Sequence, residues 1–255
     1  MFLPIISIGQ DHFARKNKSN RLNAPDTKST EIGILGGVSY YNGELNPASQ
    51  FNPLFTHGAG GVVLRRNISS RWALRFNGLW GKVKGNDLVN PSEIQKSRAV
   101  AFKSNIYEAS TQIEFNFFPY CASDHKNYFS PYAFVGLGVF AFNSTGSVSG
   151  DESQLLGRQV ERRPYSKNSI AMPFGFGFKP KISHRFLLGL EWGMRKTWTD
   201  YIDDVSTVYY SENPLGRKQR GNSKTKDWYS FAGVTLTMRI GQKPTSCESF
   251  GNEKK

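Results

Sequence analysis

The stretch "YEASTQIEFNFF", Tyr107 to Phe118, keeps two faces apart over its whole length. Tyr107, Ala109, Thr111, Ile113, Phe115 and Phe117 fall on one side. Glu108, Ser110, Gln112, Glu114 and Asn116 fall on the other. Side chains alternate faces along a β-strand, so this is a strand with one apolar and one polar face. A soluble sheet packs such an apolar face into a core. A membrane barrel turns it to lipid and keeps the polar face in a lumen. The neighbouring strands decide between the two.

Seven more strands can be read between Glu31 and Ile240, at 31–42, 58–68, 72–83, 131–143, 168–180, 185–198 and 228–240, with the opening one near 105–118. In the first, Ile32, Ile34, Val38 and Tyr40 share a face. In the third, Trp72, Leu74, Phe76 and Trp80 oppose Ala73, Arg75 and Asn77. In the fifth, Tyr132, Phe134, Phe140 and Phe142 share a face with Gly136 and Gly138. In the sixth, Ile170, Met172, Phe174, Phe176 and Phe178 oppose Ser169, Ala171, Gly175, Gly177 and Lys179. In the seventh, Leu188, Leu190, Trp192 and Met194 oppose Glu191, Arg195 and Thr197.

These strands run about 10–13 residues. Soluble strands are usually roughly 5–6 residues long, whereas a tilted membrane-crossing strand needs about 9–11. Connections alternate long, short, long, medium, long, short, long, as in barrels with tight periplasmic turns and long outer loops. On that topology both termini, Cys121 and Cys247 are periplasmic. Trp72, Tyr132, Trp192 and Trp228 fall near strand ends, where interfacial aromatic girdles belong. A soluble lipocalin-like barrel is the competing reading. The apolar faces carry crowded Phe, Leu and Trp with small residues opposite, which suits lipid outside and a narrow filled lumen. The expected fold is therefore all-β, an eight-stranded antiparallel transmembrane barrel.

Composition agrees. Aromatics make up 14% of the 255 residues and Gly numbers 25, a balance that suits strands and turns. No run approaches 18 apolar residues, so helical membrane spans are excluded. The net charge of +13 allows nucleic acid, anionic headgroups or an acidic protein as partners. No helical basic repeat, zinc-finger spacing or aromatic RNA-binding motif is present, so no nucleic-acid partner is expected. The opening "MFLPIISIGQ" reads as the remnant of a secretory signal over 1–9, or as a short hydrophobic arm. A flexible basic arm over 10–30, a barrel over 31–240 and a polar tail over 241–255 complete the expected layout.

Within a closed lumen, Arg75, Glu108, Gln112, Glu114, Glu191 and Arg195 would meet. Bare carboxylates there would be costly, so pairing with the arginines is expected. Eight strands leave an interior that side chains fill, which favours a salt-bridge plug over an ion path. Asp200, Asp203 and Asp204 cluster beyond the seventh strand. They could hold calcium, but their spacing is no EF-hand, and a loop folded over the mouth and paired to Arg195 or Lys196 is the plainer reading. His12, His57, His125 and His184 are dispersed, and no nucleophile–base–acid set forms, so neither enzyme nor cofactor is expected. Cys121 and Cys247 are either one disulfide or two separate thiols. Loop bases Arg158, Arg162, Arg163, Arg217, Lys218 and Arg220 could meet lipopolysaccharide phosphates.

Several blocks carry a resemblance: "GGVSYYNGELNP", "RFNGLWGKVKGND", "EFNFFPY", "FSPYAFVGLGVFAFN", "SIAMPFGFGF" and "LGLEWGMRKTWTDYIDDVSTVYY". Together they resemble the DUF6089 family of outer-membrane barrels of Bacteroidota. The resemblance implies a place in the outer membrane and contact with the periplasmic PorK–PorN ring of the type 9 secretion system. It supplies no catalytic residues. Arg15, Lys16, Lys18, Arg21 and Lys28 of the arm are then candidates for docking an acidic face of the ring. Lys243, Lys254 and Lys255 of the tail are weaker ones.

Overall fold

The computed structural model describes residues 29–43, 56–86, 101–120, 129–147, 166–180, 182–183, 185–203, 209–210, 218–219 and 226–240. Eight strands close a barrel in the order β1-β10-β7-β6-β5-β4-β3-β2. They are β1 (Ser29–Asn42), β2 (His57–Asn67), β3 (Trp72–Asn86), β4 (Ala101–Asn116), β5 (Phe129–Ser147), β6 (Asn168–Pro180), β7 (Phe186–Thr197) and β10 (Trp228–Ile240). Each barrel strand pairs antiparallel with its neighbours in the chain, and β1 pairs with β10 to shut the seam from Thr30↔Ile240 to Asn42↔Trp228. Closure leaves no unpaired edge, which is what a strand protein in lipid requires. The stretch 199–227, read as loop, also contains a two-stranded ribbon, β8 (Tyr209–Tyr210) with β9 (Lys218–Gln219). Strand β1 starts at Ser29, so the barrel takes in the last two residues of the expected arm.

Alternation in the opening stretch is reproduced residue by residue. Glu108, Ser110, Gln112, Glu114 and Asn116 are buried, while Tyr107 and Ile113 stand 55% and 52% exposed on the outside. Ile34, Val62, Leu137, Val139, Phe176 and Leu190 are likewise outward and exposed. An apolar exterior around a polar, fully buried interior is the arrangement of a barrel immersed in lipid, and the inverse of a soluble one. At the short-turn end, aromatics form a band of two groups. Trp72 packs on Phe115 at 4.8 Å, Phe115 on Phe117 at 5.4 Å, and Phe129 bridges Phe118 and Phe178 at 5.7 and 5.0 Å.

Strand β5 corrects one expectation. Tyr132, placed in the girdle from sequence, is fully buried in the lumen together with Phe134, Phe140 and Phe142. Val135, Leu137 and Val139 face outward instead. Both faces of β5 are apolar, so period two alone does not say which meets lipid. Gly136 and Gly138 decide it, because side chains there would collide with Gln112 and Ser110 of β4. Trp192 does point outward but near the middle of β7, where its indole donates to the Tyr40 hydroxyl at 2.6 Å. Trp72 and Trp228 begin their strands as expected.

Candidate functional site

The lumen is the site, and each barrel strand contributes to it. Glu31 on β1 takes Arg65 of β2 at 2.9 Å, and Arg239 of β10 lies 3.6 Å away. Asn67 donates to the other Glu31 oxygen at 2.7 Å. Glu114 on β4 gathers Arg65 at 3.2 Å, Arg75 of β3 at 3.7 Å and Lys179 of β6. Arg75 donates from one nitrogen to Glu191 of β7 at 2.7 Å and from another to Gln112 at 2.6 Å. Tyr132 of β5 donates to the same Glu191 at 3.0 Å. One deck nearer the long loops, Arg195 and Tyr229 both donate to Glu108, at 3.3 and 2.7 Å. Aromatic faces cover the cations: Arg75 lies 4.8 Å from the Phe134 centroid and Lys179 lies 4.4 Å from that of Tyr132.

This geometry depends on small residues opposite large ones. Gly177 leaves room for the Tyr132 ring, and Gly193 for the tip of Phe134. Beyond Glu108 the lumen turns apolar. Tyr41, Val83, Phe102, Ile106, Phe140, Phe142, Ala171 and Tyr229 pack around Ile202. The segment after β7 folds inward to place Ile202 there with no exposed surface. Its backbone is satisfied: the Ile202 N–H donates to Asp227 at 2.9 Å, and Ser144 donates to its carbonyl at 2.5 Å. Buried backbone groups need such partners, so the inward turn is held in place and not merely pressed by packing. The Tyr41 hydroxyl ties it down, 2.5 Å from Asp227 and 2.8 Å from Asp203.

Chemically the lumen is a plug. Carboxylates and cations neutralise one another at one end, and a hydrophobic stopper closes the other. At the short-turn rim, Tyr120 reaches toward Lys179, whose Nζ lies 5.2 Å from its ring. Burial, with Glu31 nearby, pushes the Tyr120 phenol above its ordinary range.

A family model described as "Domain of unknown function (DUF6089)" matches residues 20–249, nearly the whole chain and every barrel strand. The chain belongs to the DUF6089 family. No curated protein matches it. Among solved structures, OprG from Pseudomonas aeruginosa is similar at 9% identity and a TM-score of 0.43, over 85% of this chain and 99% of that one. Neisserial surface protein A is similar at 10% and 0.40, over 86% and 100%. Ail of Yersinia pestis is similar at 11% and 0.39, over 84% and 97%. At this identity and fit, the likeness says nothing about role.

All six lumen residues expected from sequence, Arg75, Glu108, Gln112, Glu114, Glu191 and Arg195, meet inside the DUF6089 barrel. Glu31, Arg65 and Arg239 are not among the lumen residues expected from sequence, and Lys179, which falls there on the polar face of the sixth strand, joins the network unexpectedly. Arg65 carried a usable signal: Val63, Arg65 and Asn67 alternate against Val62 and Leu64, and only the former set is buried. Asp200 and Asp203 lie buried at the mouth, in a loop that folds over the barrel as expected, but not through the expected bases: Tyr41 donates to Asp203, while Arg195 turns into the lumen to Glu108 and Lys196 lies against the Trp228 ring. Asp204 lies outside the described residues. Among the described residues no group of three or more His, Cys, Asp or Glu could hold a metal. Arg15, Lys16, Lys18, Arg21, Lys28, Cys121 and Cys247 also lie outside the described residues.

The stopper makes a local prediction for this family member. Tyr41→Phe removes the phenol proton shared with two buried carboxyl groups, a loss of about 1–3 kcal/mol. Chymotryptic cleavage at Tyr201 should speed up while the barrel stays folded. Unchanged cleavage would mean that packing of Ile202 alone holds the mouth.

Proposed function

We propose that this DUF6089 barrel sits in the outer membrane with its long loops outside and both termini periplasmic, as a non-catalytic anchor of the type 9 secretion system. The carrying observation is the filled lumen. An ionic lattice drawn from seven strands and joined by the Tyr132 hydroxyl of the eighth, topped by the Ile202 stopper, leaves the barrel suited to holding a position in lipid and not to passing solute. Such a barrel works through its surfaces. Within the family the chain resembles PorG, a type 9 component, and on that reading its periplasmic face docks the PorK–PorN ring.

The test is cross-linking in intact cells with a tagged copy, gentle solubilisation and identification of what co-purifies. Ring proteins should dominate, and deleting the gene should stop type 9 cargo export while other barrels assemble normally. A barrel that comes down alone, with export intact in the deletion, overturns the reading. The solute-passing alternative predicts discrete conductance steps in planar bilayers, where the plugged lumen should stay silent.

A further inference from the structure

The outer wall of the barrel is not uniform. On β2 to β5, toward the long-loop end, lies an apolar groove of about 640 Å³ bounded by Gly60, Val62, Gly78, Trp80, Tyr107 and Val139. Ligand pockets span roughly 300–1,000 Å³. The floor exists because Gly60 and Gly78 carry no side chain. A Cβ at Gly78 would come only within 3.4 Å of Val62, and one at Gly60 within 3.5 Å of the Leu35 carbonyl, so these positions are open for a reason other than crowding.

One outward step along each strand, roughly 7 Å toward the long loops, the wall changes character. Lys82 is cross-strand to Asn105 and Lys84 to Lys103, while Asn105 in turn is paired with Asn143. Lys82 leans back over the groove wall, its Nζ 5.3 Å from the Trp80 ring centroid. Lys167 arrives from the start of β6 and donates to Asn143 at 3.2 Å. Two strands and the approach to a third thus bring lysines to one patch directly above an apolar trough. Neither half makes sense for the acyl region alone: bulk lipid chains need no trough, and a cationic rim needs no greasy floor beneath it.

We propose that this face binds one phosphorylated lipid of the lipid A class. Its phosphate is held by Lys82, Lys103 and Lys167, and an acyl chain lies in the groove against Gly60 and Gly78. Phosphate accepts charge-assisted hydrogen bonds from ammonium groups, and each buried methylene adds to the hold. The assignment of that lipid, and not a phospholipid, rests on the orientation proposed above, which puts the long loops in the outer leaflet.

The purified full chain in detergent is titrated with lipid A and read by native mass spectrometry, which is blind to orientation. One lipid A per barrel is expected. The triple variant Lys82→Gln, Lys103→Gln, Lys167→Gln should weaken it at least tenfold. Gly78→Leu, which fills the groove and leaves every lysine in place, should do the same. Lys196→Gln, on β7 outside this patch, should bind as the wild type does. Equal retention by all variants, or no retention by the wild type, overturns the site. Retention of phosphatidylethanolamine in preference to lipid A overturns the lipid class. Orientation is read separately, by surface biotinylation of a cysteine placed at the exposed Ser166, before β6 at the long-loop end, so a wrong orientation and an absent site give different results.

Discussion

Glu114→Ala should cost the barrel about 3–5 kcal/mol, the penalty for leaving buried charge without its partner. Glu114 has no exposed surface and is the one carboxylate on which Arg65, Arg75 and Lys179 all converge. Once it is gone, Arg65 keeps Glu31 and Arg75 keeps Glu191. Lys179 loses its paired carboxylate and keeps the neutral Asn116 oxygen at 3.1 Å and the Tyr132 and Tyr120 ring faces. Urea unfolding in lipid vesicles, followed by tryptophan emission, should show the midpoint fall. Glu114→Gln keeps shape and an acceptor but no charge and should fall between. Adding Lys179→Met to Glu114→Ala should recover part of the loss, because a buried ion pair is often replaceable by apolar groups when both partners go together. If Glu114→Ala unfolds like the wild type, solvent reaches the network and it is no plug.

Period two carried most of this fold. Where one face is polar and the other apolar, as in β4 and β7, the sequence alone sorts lumen from lipid, and the lumen residues of β3, β4 and β7 follow. Strand β5 resisted because Phe and Val are equally at home in a packed lumen and in lipid. What fixes Tyr132 and Phe134 inward is the crowding of Gly136 and Gly138 by Gln112 and Ser110, together with the room that Gly177 and Gly193 leave for the two rings, and those partners lie on other strands. Glu31 and Arg239 were hidden for a different reason. They stand at the two ends of the chain's barrel segment, and become neighbours only when β1 and β10 close the seam through Glu31↔Arg239. Ile202 is an apolar residue set among Asp200, Asp203 and Asp204 in the sequence. Nothing local says that the loop turns inward, because the partners of its backbone, Ser144 and Asp227, come from β5 and from the approach to β10.

The exterior makes the opposite kind of prediction. Leu137 is 62% exposed, between Val135 and Val139 at 51% and 63%, and lies opposite Thr111 in the middle of the β4–β5 ladder. If that surface faces water, Leu137→Arg is a surface change and should lie within about 0.5 kcal/mol of neutral. Against hydrocarbon at the bilayer midplane the same arginine costs about 2–4 kcal/mol. Phe129→Arg, within the aromatic band at the short-turn end, should cost roughly 0–1 kcal/mol, because the penalty fades toward the interface. The depth dependence matters more than either value. A packing defect would follow the volume lost, and Phe129, the larger side chain with ring contacts to Phe118 and Phe178, would then be the costlier site. Lipid reverses that order. Unfolding both variants in vesicles therefore separates a wall that is apolar because it packs from one that is apolar because it is solvated by acyl chains, and only the second leaves room for a specific lipid at Gly60 and Gly78.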